Sequence, residues 1–227
     1  MTEILFPIDD DDILFLRVQW NDLLSSYTSD QSFQDQLFKL VKEKYSESGR
    51  FYHNLNHVKQ LLNLFESLNN QIQESNAVRF SIWFHDVVYD TERNDNEEES
   101  ARLAVETLGE LNINFETLGF VGQLILATKS HVGHNLSQDG KLFLDLDLAI
   151  LGMSQDIYEK YSRAIREEYS WVPEQTYGKR RREILEGFLD RETIYFTNIM
   201  KDRFEEQARK NIRSEIQSLE SQQHRSA

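Results

Sequence analysis

The chain has 227 residues and a formal net charge of −14, and this length is enough for one large domain with a substantial core. The 39% of apolar residues and 28% of charged residues are typical of a folded soluble protein, and the acidic balance argues against binding to extended nucleic acid. The absence of cysteine excludes disulfides, thiolate zinc sites and cysteine nucleophiles, so any metal must be bound by imidazole and carboxylate groups.

Apolar runs and the first residues of the sequence bear on where the protein is expected to be located. No apolar run is long enough to span a membrane, and "MTEILFPIDDDD" lacks the basic start of a signal peptide. We therefore expect a cytoplasmic protein with no membrane partner. A single domain over 1–227 is predicted, and 220–227 are expected to form a disordered tail.

Apolar residues recur at helical spacing along most of the chain, and only two prolines interrupt it. The acidic run "DDDD" at 9–12 is expected to cap a first helix, and further helices are predicted around "SFQD" and "NHVKQLLNLFESL". The segment "NAVRFSIWFHDVVY" is apolar almost all round, which predicts a helix at the centre of the fold. Two more helices are predicted in "NEEESARLAVETLGEL" and "FETLGFVGQLILATKSH".

The segment "LFLDLDLAI" alternates apolar and polar residues, as a strand would. Because no second strand candidate of similar strength exists, we interpret it as a helix start or an extended lead into a helix. Three helices are predicted after it, in "QDIYEKYSRAIREEYSWV", in "GKRRREILEGFL" and from about Asn198 to Leu219. The predicted fold class is all-α.

A histidine and an aspartate, His85 and Asp86, interrupt the apolar run "WFHDVVYD". Adjacent helical side chains point about 100° apart, so a ligand that they share needs further ligands from other helices. Two candidates are polar residues in apolar surroundings: His57, in the first turn of the third helix, and Asp147. A buried carboxylate is costly unless it is paired, protonated or bound to a cation, and a divalent metal would remove this cost for all four groups.

A second aspartate, Asp145, lies close to Asp147 in the sequence. The two side chains would share a face on an extended strand but point about 200° apart on a helix, so they are not expected to have the same role. We take Asp147 as the ligand and keep Asp145 in its place as the alternative.

The ordered set of motifs resembles the HD superfamily of metal-dependent phosphohydrolases, in its branch of small single-domain predicted hydrolases. The resemblance rests on "YHxxxHV", "WFHDVVYD", "NEEESA" and "DLDLAILGM", and it covers about 51–195. It implies a single-domain, HD-domain-like helical bundle that binds one divalent metal ion through His57, His85, Asp86 and Asp147. The donor set leaves the metal open among Mn, Fe, Ni, Co, Zn and Mg.

The resemblance also implies hydrolysis of a small phosphate ester or nucleotide by a metal-activated water. Members with two metals commonly supply additional histidines between the doublet and the last aspartate. That interval here holds Glu97, Glu98, His131 and His134, so a site with one metal is expected.

Other residues are predicted to act beside the metal. Asp86 and Glu97 are the candidate catalytic residues, Glu97 as a general base or as a partner that orients another group. Lys129 and Arg181 are the candidates for binding the phosphate. Candidate substrate contacts are also His131 and His53. Three of these residues have a plainer interpretation: Glu97 complements a helix dipole, His131 ends a helix, and His53 packs beside Tyr52.

Two alternatives to a hydrolase remain. The first is an HD-fold module that binds a nucleotide or a protein partner without turnover. The second is a helical scaffold in which His85 and Asp86 hydrogen-bond to each other. The fold does not separate a hydrolase from a binding module, because function depends on the site rather than on the helices around it.

Overall fold

The backbone is helical, as the sequence predicts. A computed structural model describes residues 5–68 and 71–225, and within these ranges it contains ten α-helices and no β-strand. The all-α prediction is therefore confirmed. The helices are α1 (Asp10–Ser25), α2 (Gln31–Tyr45), α3 (Leu55–Glu66), α4 (Ser75–Phe84), α5 (Asn96–Gly109), α6 (Phe115–Thr128), α7 (Gln138–Asp147), α8 (Gln155–Glu168), α9 (Glu174–Leu189) and α10 (Asn198–Arg225).

Internal contacts divide the chain into two compact units, 1–146 and 147–227. The boundary falls inside α7, so that 138–146 belong to the first unit and Asp147 is the first residue of the second. The single domain predicted over 1–227 stays a prediction. In the part of the chain that the structure describes, no helix combines the length and the apolar composition needed to cross a membrane.

Helix α4 forms the core of the first unit. Every residue from Ala77 to Phe84 is buried, and the helix packs against α3, α5 and α6. Trp83 meets Trp20 of α1 edge to face, with ring centroids 5.1 Å apart, and it contacts Phe38 of α2 at 6.2 Å. Such aromatic pairs contribute about 0.5–1.5 kcal/mol each beyond the area that they bury. The central position predicted for this segment is confirmed.

Side-chain caps fix where the first helices begin. The carboxylate of Asp9 accepts a hydrogen bond from the backbone N–H of Asp12 (2.9 Å), and the Asp12 carboxylate accepts one from the backbone N–H of Asp9. The "DDDD" cap is thus confirmed. Asp12 also accepts a hydrogen bond from Lys59 of α3 (2.8 Å), which lowers the pKa of the Asp12 carboxyl. The acidic run therefore caps α1 and ties it to α3.

Helix α4 is shorter than the sequence predicts. A helix over all of "NAVRFSIWFHDVVY" is wrong in its last part, because α4 ends at Phe84 and His85 is its C-cap residue. The backbone beyond this point bonds to side chains of other elements. The N–H of Val88 donates to the Ser100 hydroxyl of α5 (3.0 Å), which donates back to the Val88 carbonyl (3.2 Å). These tertiary bonds replace the helical ones.

In the second unit, a 3₁₀ turn (Leu148–Gly152) follows directly on α7 and packs against α8 and α10. A Cβ atom at Gly152 would lie 2.5 Å from the Phe204 side chain and 2.7 Å from its carbonyl oxygen, so the approach of α10 requires glycine. The segment "LFLDLDLAI" lies in α7 and in this 3₁₀ turn, so it is helical throughout and contains no extended lead. Helix α10 extends to Arg225 and includes most of the tail predicted to be disordered, while 226–227 lie outside the described residues.

Candidate metal centre

His57 lies in the first turn of α3, where the sequence predicts it. The side chain of Asn54 caps this helix by accepting a hydrogen bond from the backbone N–H of Asn56 (2.8 Å). The histidine is only 1% exposed, and its ring packs against Tyr52 with centroids 4.8 Å apart. Its imidazole is therefore fixed by a capped helix start and by buried packing.

His85 is held at the end of α4 by its own backbone and by its ring. Its N–H donates to the Ser81 carbonyl (2.9 Å), and its Nδ1 lies 3.0 Å from the Ile82 carbonyl oxygen. A carbonyl oxygen only accepts, so this bond places the proton on Nδ1 and leaves the lone pair on Nε2. A backbone carbonyl that fixes the tautomer in this way is typical of histidines that bind metals.

The two histidines and the aspartate of the doublet meet around one point. The Nε2 atoms of His57 and His85 are 3.0 Å apart. Asp86 places its Oδ2 3.0 Å from the His85 Nε2 and 3.7 Å from the His57 Nε2. One carboxylate oxygen of Asp147 and one ring nitrogen from each histidine all lie within 4.8 Å of one another. Asp147 is the last residue of α7, whose other residues belong to the first unit.

These distances fit ligands around a single ion. Donor atoms about 2.0–2.1 Å from one ion lie about 3.0 Å apart at adjacent octahedral positions and about 3.4 Å apart in a tetrahedron. The separations between the His57, His85 and Asp86 donors, 3.0 to 3.7 Å, are of this size. Two imidazoles and two carboxylates suit a divalent transition metal or zinc, and a cation balances the carboxylate charge. His57, His85 and Asp147 thus form a group that could hold a metal ion.

The structure distinguishes between the two aspartates near the end of α7. The group that closes within 4.8 Å, among the described residues, contains Asp147 and not Asp145. Asp145 is fully buried, whereas Asp147 is half-buried. This difference follows from their spacing, because residues two positions apart on a helix face nearly opposite directions. The geometry favours Asp147 over Asp145 as the metal ligand, in agreement with the prediction.

His53, a predicted substrate contact, lies beside the two-histidine group. Its ring stacks on Tyr89 at a centroid distance of 4.2 Å and an interplanar angle of 27°, and it lies 6.0 Å from the His57 ring. It also meets Tyr52 edge to face at 5.0 Å, so the packing expected from its plainer interpretation is present. The residue is close enough to the candidate ligands to contact something bound there.

Lys129, a predicted phosphate ligand, forms an ion pair near the start of α5. Its Nζ lies 2.7 Å from both carboxylate oxygens of Glu98 and 3.7 Å from Glu97. The hydrogen bond to Glu98 raises the pKa of Lys129, and the same bond lowers the pKa of Glu98. The lysine therefore neutralises part of the acidic α5 N-terminus, which contains the candidate base Glu97.

The remaining two candidates lie in different settings. His131 follows α6 in the left-handed backbone conformation (φ +48°), and its N–H donates to the Ala127 carbonyl (2.9 Å). This agrees with a residue that ends a helix. Arg181 lies in the second unit, where its guanidinium donates to both oxygens of Glu215, with distances of 2.8 and 3.2 Å.

The Arg181 ion pair belongs to a polar cluster buried between α8, α9 and α10. The Tyr158 hydroxyl donates to Glu215 (2.6 Å), and Arg181 also donates to the Tyr161 hydroxyl (3.4 Å). Burial, the largest single influence, raises the pKa of Glu215, but the charge and hydrogen bond of Arg181 and the hydrogen bonds of Tyr158 and Ser162 together lower the pKa below its ordinary value. Beside this cluster is a cavity of about 550 Å³, with Tyr158 and Tyr177 among its lining residues.

Three residues that support the candidate metal group were not predicted from the sequence. They are Arg50 and Tyr45, which bind the backbone of the doublet, and Ser100, which binds the backbone just after it. Arg50 stands immediately before "FYHN", but its residue type and position carry no signal of a buried role. Only the folded chain shows which carbonyl groups it reaches.

Comparison with known proteins gives no relatives. No family model matches the chain, and neither a curated protein nor a solved structure matches it significantly. The resemblance to the HD superfamily therefore rests on the order and types of the residues quoted above.

Proposed function

We propose that this protein is a metal-dependent phosphohydrolase that acts on a small phosphate ester or a nucleotide. The observation that supports this proposal best is the convergence of His57 in the first turn of α3, His85 at the C-cap of α4 and Asp147 at the end of α7, with Asp86 beside the histidines. Three of the four ligands that the HD resemblance implies therefore lie in one group, and the fourth, Asp86, has its Oδ2 3.0 and 3.7 Å from the two histidine nitrogens.

The burial of these residues divides their roles. The two histidines are almost fully buried and rigidly held, whereas the Asp86 side chain is 18% exposed and Asp147 is half-buried. A substrate would therefore approach from the carboxylate side. A divalent ion held by these residues would lower the pKa of a water molecule and screen the charge of the phosphoryl oxygens.

Other candidate residues have proposed roles in the same reaction. Asp86 would hold the ion and could accept a proton, since its side chain is 18% exposed, and Glu97 is the candidate general base acting through water. His53 and Tyr89 form an aromatic wall next to His57.

Lys129 would reach a phosphate only by exchanging its bond to Glu98, so its loss should affect KM more than kcat. Arg181 has no substrate role in this proposal, because Glu215 already neutralises it.

A panel of phosphomonoesters, nucleotides and cyclic nucleotides, each with added Mn²⁺, Co²⁺, Ni²⁺ or Mg²⁺, tests the proposal. We expect turnover of at least one compound, and a loss of about 100-fold or more in kcat/KM for Asp86→Ala. His134→Ala is the matched control, because His134 is exposed, and it should keep wild-type activity.

Two outcomes would contradict the hydrolase. Turnover that survives Asp86→Ala would place the activity elsewhere in the molecule. Saturable nucleotide binding without turnover of any compound would identify a binding module instead.

A further inference from the structure

Arg50 is a buried arginine whose guanidinium binds backbone carbonyl groups. The side chain is 2% exposed. Its Nη1 donates to the carbonyl of Asp86 (2.6 Å) and to that of His53 (3.2 Å). Its Nη2 donates to the carbonyl of Val87 (3.0 Å) and to the carboxylate of Glu47 (3.2 Å). One planar group therefore makes four hydrogen bonds, three of them to main-chain oxygens.

These carbonyls belong to the two segments that carry the candidate ligands of the first unit. His53 directly precedes the residue that caps α3, and His57 lies in the first turn of that helix. Asp86 and Val87 come just after α4, where the regular helical bonds have ended. A single nitrogen of Arg50 thus links the start of α3 to the end of α4.

Tyr45 completes the support of the Asp86 peptide. Its hydroxyl accepts a hydrogen bond from the Asp86 N–H (3.3 Å), and its ring lies 5.2 Å from the Arg50 guanidinium carbon. Tyr89 approaches the same guanidinium at 5.6 Å. Asp86 is held through both its N–H and its carbonyl, so the direction of its Cα–Cβ bond is fixed, and this limits the positions that its carboxylate can reach.

We propose that Arg50 is a positioning residue for the metal group. It keeps Asp86 at the distance from His57 and His85 that shared binding of one ion requires. The inference rests on the metal site of the proposed function and does not depend on which substrate is hydrolysed. Residues that orient metal ligands from outside typically change metal affinity about 10–100-fold when they are removed.

This role requires the planar, branched set of N–H donors that a guanidinium group has. The donors of Arg50 diverge in one plane and reach carbonyls on two segments at once, whereas the compact ammonium of lysine offers a single point of attachment. Lysine at this position should preserve the positive charge and part of the hydrogen bonding. The two ligand segments would then be linked less firmly, and metal affinity should fall between those of wild type and the alanine variant.

Another buried arginine of the first unit provides a matched control. Arg79 in α4 is similarly buried, donates to the Gln19 carbonyl (2.9 Å) and pairs with Asp22 (2.9 Å). Its contacts lie on α1 and involve none of the candidate ligands. Arg79→Ala should therefore reduce stability without changing the metal group.

The experiment measures Co²⁺ affinity, the visible absorption spectrum at saturating Co²⁺ and the thermal midpoint for wild type, Arg50→Ala, Arg50→Lys and Arg79→Ala. We expect Arg50→Ala to bind Co²⁺ about 10–100-fold more weakly and with an altered spectrum, because the Asp86 oxygen is displaced. Arg50→Lys should be intermediate, and Arg79→Ala should match wild type in affinity and spectrum.

Equal affinities and identical spectra for Arg50→Ala and Arg79→Ala would overturn the proposal and leave Arg50 with a role in folding alone. If Arg50→Ala does not fold, Arg50→Lys decides, and wild-type affinity with a wild-type spectrum would overturn it. Failure of the wild type itself to bind Co²⁺ or another divalent ion would instead contradict the metal site on which the proposal rests.

Discussion

The two units each bury a polar cluster, and the clusters differ in how their charge is balanced. In the second unit, Arg181 and Glu215 are an internal pair of opposite sign, surrounded by tyrosine hydroxyls. In the first unit, His57, His85 and Asp86 bring together imidazoles and a carboxylate, a set with no permanent cation. The first kind of cluster is complete by itself, whereas the second kind gains stability from a bound cation.

This difference shows why burial of a charged residue is a poor guide to function by itself. Arg181 is 7% exposed, and its positive charge on a C-terminal helix made it a predicted phosphate ligand. Its partner Glu215 lies 34 positions away and satisfies it. Whether a buried charged group has a counter-charge beside it says more about its function, and this can be read only from the folded structure.

The largest expected effect comes from breaking the internal pair of the second unit. Glu215→Ala leaves the buried Arg181 guanidinium without its counter-charge, which should lower the free energy of unfolding by about 3–5 kcal/mol. Urea denaturation measures this loss. Arg180→Ala is the control, because Arg180 is 77% exposed in its side chain and should cost less than about 1 kcal/mol. Equal losses for the two variants would show that the buried pair contributes nothing special.

A smaller effect is expected from the aspartates of α7, and it separates a ligand from its buried neighbour. Asp147→Asn should weaken divalent metal binding about 10-fold or more, because an amide oxygen is a poorer ligand than a carboxylate. Asp145→Asn should keep the metal affinity and reduce stability instead. Isothermal titration with Mn²⁺ or Co²⁺, together with thermal denaturation, measures both. The reverse pattern would assign the ligand to Asp145.

The smallest effect is the dependence of the second cluster on pH. Burial raises the pKa of Glu215, but Arg181 and the hydroxyls of Tyr158 and Ser162 together hold this pKa below its ordinary value of 4.5, so the folded state binds the proton less readily than the unfolded state. The contribution of the ionised Glu215 to the free energy of unfolding is complete above pH 4.5, and it is lost as the pH falls through the pKa of Glu215 in the folded state.

Wild type should therefore exceed Glu215→Gln in stability at pH 7, and the difference should narrow below pH 4.5. Denaturation curves of both proteins from pH 7 to pH 3 check this prediction. A difference that stays constant across the range would contradict the assigned shift.

The helices and the candidate ligands could largely be predicted from the sequence, because both depend on local pattern. The apolar surface around α4 predicted its burial, and the polar interruption at His85 and Asp86 indicated a site. The end of α4 could not be predicted, since no glycine or proline follows Phe84. The helix stops because Arg50, Tyr45 and Ser100 bind the next peptides.

The rest of the site depended on contacts between distant residues. The choice between Asp145 and Asp147 required the rotation of α7 about its axis, which depends on packing rather than on residue type. The role of Arg50 required knowledge of which carbonyls become free when α4 ends. Both are tertiary facts, and no local pattern carries them.

We propose that His57, His85 and Asp147, with Asp86 beside them, bind one divalent ion. Metal analysis of wild type and His85→Ala after purification and exposure to Mn²⁺, Co²⁺, Ni²⁺ or Zn²⁺ tests it most directly. We expect about one ion per wild-type chain, a thermal shift on metal addition, and the loss of both in His85→Ala. Equal and negligible metal in the two proteins, with no thermal shift in either, would contradict it.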